Sequence, residues 1–129
     1  MKTVNSILFF SLIILSLTSC IKESFDQKIV GKWEISEEND NYMGNTKWYP
    51  VPETQKWSIE FFENGNYFIS DAVGSCGGSY SIVKENEVQF NSPCSVGLST
   101  QTMFIEKKNL IILRQAPCAQ ISQKFIKIN

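Results

Sequence analysis

From residue 29 onward the chain alternates apolar and polar positions with a period of two, in short runs separated by polar turns. Gly31, Trp33 and Ile35 alternate with Val30, Lys32 and Glu34, which predicts a strand. Trp57, Ile59 and Phe61 share one side of a second run, and residues 67–71 return from it. Asn64-Gly65 lies between these two runs. Both turn residues accept positive φ, so a tight hairpin is expected. Residues 77–83 and 87–91 predict a second hairpin around 84–86. Residues 100–106 and 109–114 predict a third around Lys107-Lys108, and 121–128 form a last strand. The total is eight strands joined mostly by short turns, with no helical period between them. Consecutive hairpins imply an antiparallel meander. Eight strands can close on themselves, which removes the exposed edges. The expected fold is therefore all-β, an eight-stranded antiparallel up-and-down barrel; a two-sheet sandwich is the alternative.

The start of the chain has a different pattern. Lys2 precedes an apolar run over residues 7–17 that is broken only by Ser11 and Ser16. The run is too short to span a bilayer and has the length of a signal-peptide core. It leads into Leu17-Thr18-Ser19-Cys20. This stretch resembles the bacterial lipoprotein signal, with a branched apolar residue three before the cysteine and small residues between. The resemblance implies cleavage before Cys20, which becomes a lipid-bearing N-terminus anchored in the cell envelope, at the outer membrane. Residues 1–19 are then the signal peptide, 20–28 a tether and 29–129 one domain. Ser24 is placed to cap a short turn or helix that points Phe25 and Ile29 at the domain.

Gly31 and Trp33 also match the Gly-x-Trp motif that opens the first strand of lipocalins. Together with the strand order and the Asn-Gly hairpin, it makes residues 28–129 resemble the lipocalin-like domains of small bacterial (Bacteroidota-type) lipoproteins. The resemblance implies that Trp33 plugs the closed end of the barrel while Gly31 lets the chain bend past it. It also implies a longest loop between the first two strands. Residues 36–55, polar and proline-bearing, fit that place, and a connection of this length is often a lid or binding loop.

Composition narrows the function. The chain has 129 residues, 12 basic and 13 acidic. Loss of Lys2 with the signal leaves 11 against 13, a side-chain charge of −2. No basic stripe is present, which argues against a nucleic-acid partner. Histidine is absent, which excludes Ser-His-Asp and Cys-His catalysis and removes the commonest transition-metal ligand. No pair of carboxylates is placed in one cleft by the pattern, so the chain is not expected to be an enzyme, and neither a cofactor nor a metal is expected. Glu37, Glu38 and Asp40 lack the calcium-loop spacing and read as a solvated face.

With Cys20 lipidated, Cys76, Cys94 and Cys118 remain, and one disulfide plus one leftover thiol is the arithmetic outside the cytoplasm. Pairing Val83 with Val88 sets Cys76 opposite Ser95 and Gly77 opposite Cys94. Pairing Ile105 with Leu110 carries Cys118 towards the same end. Cys76–Cys94 is the first expectation and Cys94–Cys118 the second; a one-residue slip would change the choice.

The expected function is a lipid-anchored envelope module that takes a small apolar or amphipathic ligand, with Trp48, Tyr49, Trp57, Phe61 and Tyr67 as candidate contacts. Its partners are then the membrane, through the N-terminal lipid, and that ligand. The alternative is a protein–protein interaction module, an inhibitor or accessory subunit, with a filled barrel.

Overall fold

Each alternating run forms a strand in the computed structural model, which describes residues 23–40, 47–91, 100–116 and 119–129. A short helix, α1 (Phe25–Ile29), leads into β1 (Gly31–Asp40). A two-residue β2 (Tyr49–Pro50) and a 3-10 turn (Glu53–Gln55) follow. The remaining strands are β3 (Ser58–Phe61), β4 (Asn66–Ser70), β5 (Ser75–Lys84), β6 (Glu87–Asn91), β7 (Thr100–Glu106), β8 (Asn109–Ala116) and β9 (Ala119–Ile128). From β3 to β9 every strand pairs with its sequence neighbour, and β1 joins β3 to β9. All these pairings are antiparallel. The result is a closed eight-stranded up-and-down barrel, with β2 paired to Glu37 and Glu38 of β1 beyond the part that pairs with β3.

One end of the barrel is shut by α1. The Ser24 amide donates to Gln27 Oε1 at 3.4 Å and the Lys28 amide to Ser24 O at 3.1 Å, which fixes the first turn. Ile29 is then fully buried, and Phe25 packs on the core beside it. Gly31 has a φ of 123°, a value that side-chain-bearing residues rarely adopt. This bend brings Trp33 back under the helix, where its Nε1 donates to Ile29 O at 2.7 Å. Trp33 is thus both packed and hydrogen-bonded at the helix end.

The helix-side half of the interior is filled. Trp33, Ile35, Ile59, Phe61, Tyr67, Val88, Phe90, Met103, Leu110, Ile112 and Phe125 form a single core. Aromatic rings meet edge to face: Phe61 with Tyr80 at 5.0 Å, Tyr67 with Phe90 at 4.8 Å and Trp57 with Phe125 at 4.9 Å. Such geometry sets the positive ring edge against the negative ring face.

Two expectations are corrected. Residues 36–55 are not one loop, because β1 continues to Asp40 alongside β9, pairing as far as Ile121. The pairing shifts between Ile35 and Glu37, leaving Ser36 as the extra residue of a bulge. Its hydroxyl donates to Lys124 O at 3.1 Å, replacing a ladder bond that the bulge breaks. A bulge flips the inward side of the strand, so the alternation read up to Ile35 does not carry on. The second correction is the β5–β6 register, which pairs Ile82, not Val83, with Val88 after an irregularity between Ile82 and Lys84. By contrast, Ile105 does lie opposite Leu110.

The hairpin turns differ in quality. Gly65 has a φ of 81°, and Asn64 Oδ1 accepts from the Asn66 amide at 3.1 Å. The β7–β8 turn places lysine at both of its positive-φ positions, Lys107 at 51° and Lys108 at 80°. Left-handed backbone costs an ordinary residue about 1–2 kcal/mol. Replacing Lys107 with Asn and Lys108 with Gly is therefore expected to stabilise the barrel by about 1 kcal/mol or more. The measurement is the midpoint of urea unfolding, and an unchanged or lower midpoint would contradict the turn assignment.

Candidate functional site

The end of the barrel away from α1 has a different lining. On β9, Phe125 and Gln123 are two apart and both face inward; on β7, Met103 and Gln101 do the same. Met103 lies opposite Ile112, Ile112 opposite Gln123, and Gln123 opposite Glu38. These four residues make one continuous row across β7, β8, β9 and β1. One step further from the helix, Gln101 faces Val88, and Arg114 faces Ile121. The core therefore ends in a polar layer of Glu38, Gln101, Arg114 and Gln123.

This layer carries unmade hydrogen bonds. Gln123 Nε2 donates to Glu38 Oε1 at 2.7 Å. A carboxylate only accepts, so that bond fixes which end of the Gln123 amide is oxygen. Gln123 Oε1 is buried with no hydrogen-bond partner among the described residues, and so is Gln101 Oε1. Gln123 is 3% and Gln101 7% exposed. A buried acceptor without a donor costs about 1–3 kcal/mol. Asn39 Oδ1 is a third such atom, but Asn39 pairs with Ser122 and belongs to the other face of the sheet.

The five candidate ligand contacts do not come together. Phe61 and Tyr67 are part of the filled core, at 1% and 4% exposure. Trp57 is half-buried against that core. Trp48 lies outside the wall, with Lys124 Nζ 4.2 Å from its ring centroid, and Lys124 also pairs with Glu37. Tyr49, exposed on β2, is the one that lies beside the polar layer, directly opposite Glu38, with Lys47 Nζ 5.4 Å from its ring. The polar layer escaped sequence reading because Glu37 and Glu38 look like a solvated loop. The available signal was Gln101 and Gln123, which hold inward positions in otherwise apolar alternations.

At the helix end, Glu23, Asp26, Gln27, Val30, Glu63 and Tyr80 line an open groove of about 580 Å³. A hydrogen bond from Ser24 holds the Asp26 carboxyl below the usual range. Burial, and secondarily the Asp26 charge, push the Tyr80 phenol up. Its hydroxyl donates to Phe62 O at 3.0 Å. Among the described residues no group of three or more His, Cys, Asp or Glu could hold a metal ion.

Cys20, Cys94 and Cys118 lie outside the described residues. Cys76, half-buried on β5, is disulfide-bonded. The last β5–β6 pair among the described residues is Ser79 with Asn91, on the strand that carries Cys76. Peptide mapping under non-reducing conditions is expected to return a Cys76–Cys94 peptide. A Cys76–Cys118 peptide would contradict the first pairing expected from the sequence.

No protein-family model matches the chain, and neither a curated protein nor a solved structure matches it.

Proposed function

We propose that the chain is a lipid-anchored cell-envelope protein whose lipocalin-like barrel binds a small amphipathic molecule at the end away from α1. The observation that carries the reading is the change of lining there, an apolar floor of Met103, Ile112 and Phe125 meeting buried amide oxygens with unmade hydrogen bonds. Ligand sites combine mostly apolar walls with a few placed polar groups. The filled core limits the ligand to this end, so the apolar part it buries is short. The anchor reading adds an orientation. Ser24 follows Cys20 by four residue steps, a reach of about 14 Å when extended. The helix end then faces the membrane and the binding end faces away from it.

Native mass spectrometry of the protein isolated from its own envelope tests the reading. A discrete small-molecule adduct, lost on mild activation, is expected. Protein that carries no adduct and takes up no member of an amphiphile panel would contradict it. The filled core and the exposed Phe62 and Phe68 favour a second reading, a protein-interaction module working through its outer wall. Under that reading a protein partner co-purifies and no small molecule does.

A further inference from the structure

We infer that the polar layer selects a neutral, hydroxyl-bearing head group, of the polyol or sugar class. The inference rests on the ligand-binding reading above and names the chemistry of that site. Gln101 Oε1 and Gln123 Oε1 are buried acceptors without a donor among the described residues, so whatever completes them must donate. Glu38, on the same row, adds a third acceptor, already sharing one oxygen with Gln123 Nε2.

Arg114 decides the charge. It takes an inward position on β8, two residues beyond the buried Ile112 and opposite Ile121. Its guanidinium supplies donors only. Among the described side chains of the layer, the Glu38 carboxylate and the Arg114 guanidinium offset each other in charge. A head with a net charge of either sign would be attracted by one of these two groups and repelled by the other, so it gains little over a neutral one. A carboxylate or sulfate head could not donate to the two glutamine oxygens at all. A quaternary ammonium has no N–H to give. Hydroxyl groups satisfy every side of the layer: each donates to Gln101, Gln123 or Glu38 and accepts from Arg114. The short apolar floor beneath them suits a short alkyl or isoprenoid stub.

The test uses the mature lipidated protein in nanodiscs and three short, freely soluble probes: hexyl β-glucoside, hexanoate and hexyltrimethylammonium. Isothermal titration is expected to give at least tenfold tighter binding of the glucoside than of the other two. Gln101→Leu, which keeps the volume and removes the unpaired oxygen, is expected to weaken glucoside binding at least tenfold. The same variant should leave the melting temperature unchanged or higher, because it removes a buried polar atom that lacks a partner. Arg114→Met provides a second variant, expected to narrow the preference against hexyltrimethylammonium. Equal affinity for all three probes, or undiminished glucoside binding by Gln101→Leu, would overturn the head-group inference and leave amphiphile binding standing. Binding of none of the probes would overturn both, with water alone filling the layer.

Discussion

Trp33→Ala is expected to leave the barrel barely folded. Trp33 is almost fully buried, belongs to the single core and donates its indole N–H to the last carbonyl of α1. Truncating a buried tryptophan to alanine costs about 3–5 kcal/mol through lost transfer energy and the cavity left behind. A domain of this size has only about 5–15 kcal/mol in total. Loss of the indole also strands Ile29 O beneath the helix, an added cost of about 1–3 kcal/mol where that carbonyl stays dry. At about 4–8 °C per kcal/mol, the melting temperature should fall by well over 10 °C. Trp33→Phe separates the two contributions, because it keeps most of the apolar volume and loses the hydrogen bond. It should cost about 1–2 kcal/mol and speed proteolysis near α1 more than in β5 or β6. Equal melting temperatures for wild type and Trp33→Ala would mean that the helix end is not held by this residue.

Cys20→Ser should shift the protein from the membrane fraction to the soluble fraction almost completely. The expected anchor is several acyl chains, each contributing about 0.8 kcal/mol per buried methylene, which is above the threshold for stable attachment. Serine offers no sulfur for diacylglyceryl transfer, and cleavage at the site should stop with it. The readouts are fractionation and intact mass, since the wild-type N-terminus should carry the mass of its lipids. A variant retained in membranes, or a wild type without lipid mass, would remove the anchor and with it the proposed orientation of the barrel.

Strand identity was legible wherever one side of a strand is apolar. Trp57, Ile59 and Phe61 announced β3, and Ile105 opposite Leu110 gave the β7–β8 register correctly. The closed barrel follows from that pattern together with short turns. What could not be read lies where the period breaks. Ser36 inserts an extra residue in β1, so Glu38 turns inward although the earlier alternation assigns the inward side to odd-numbered positions. The irregularity beside Val83 moved the β5–β6 register in the same way. Bulges are set by partner strands and carry no strong local signal when, as at Ser36, no glycine marks them.

The candidate site was less legible for a related reason. Aromatic residues suggested a ligand cavity, but Phe61 and Tyr67 are needed to fill a small barrel and do so from paired positions on β3 and β4. The chemistry lies instead in two amides that a hydropathy reading counts as exposed. Gln101 and Gln123 show their significance only when the register places Met103 and Phe125 beside them on the inward side. Gln101 is informative because its buried oxygen has no hydrogen-bond partner among the described residues.

The most direct test of a barrel that is packed at its helix end and binds at the other is a chemical-shift titration. Isotope-labelled mature protein would be titrated with hexyl β-glucoside, following backbone and side-chain amides together. The account predicts saturable shifts at the Gln101 and Gln123 side-chain amides and at the backbone of Glu38 and Arg114, with Phe61 and Tyr67 unmoved. Shifts confined to the outer wall around Phe62 and Phe68, or shifts that grow linearly without saturating, would contradict it.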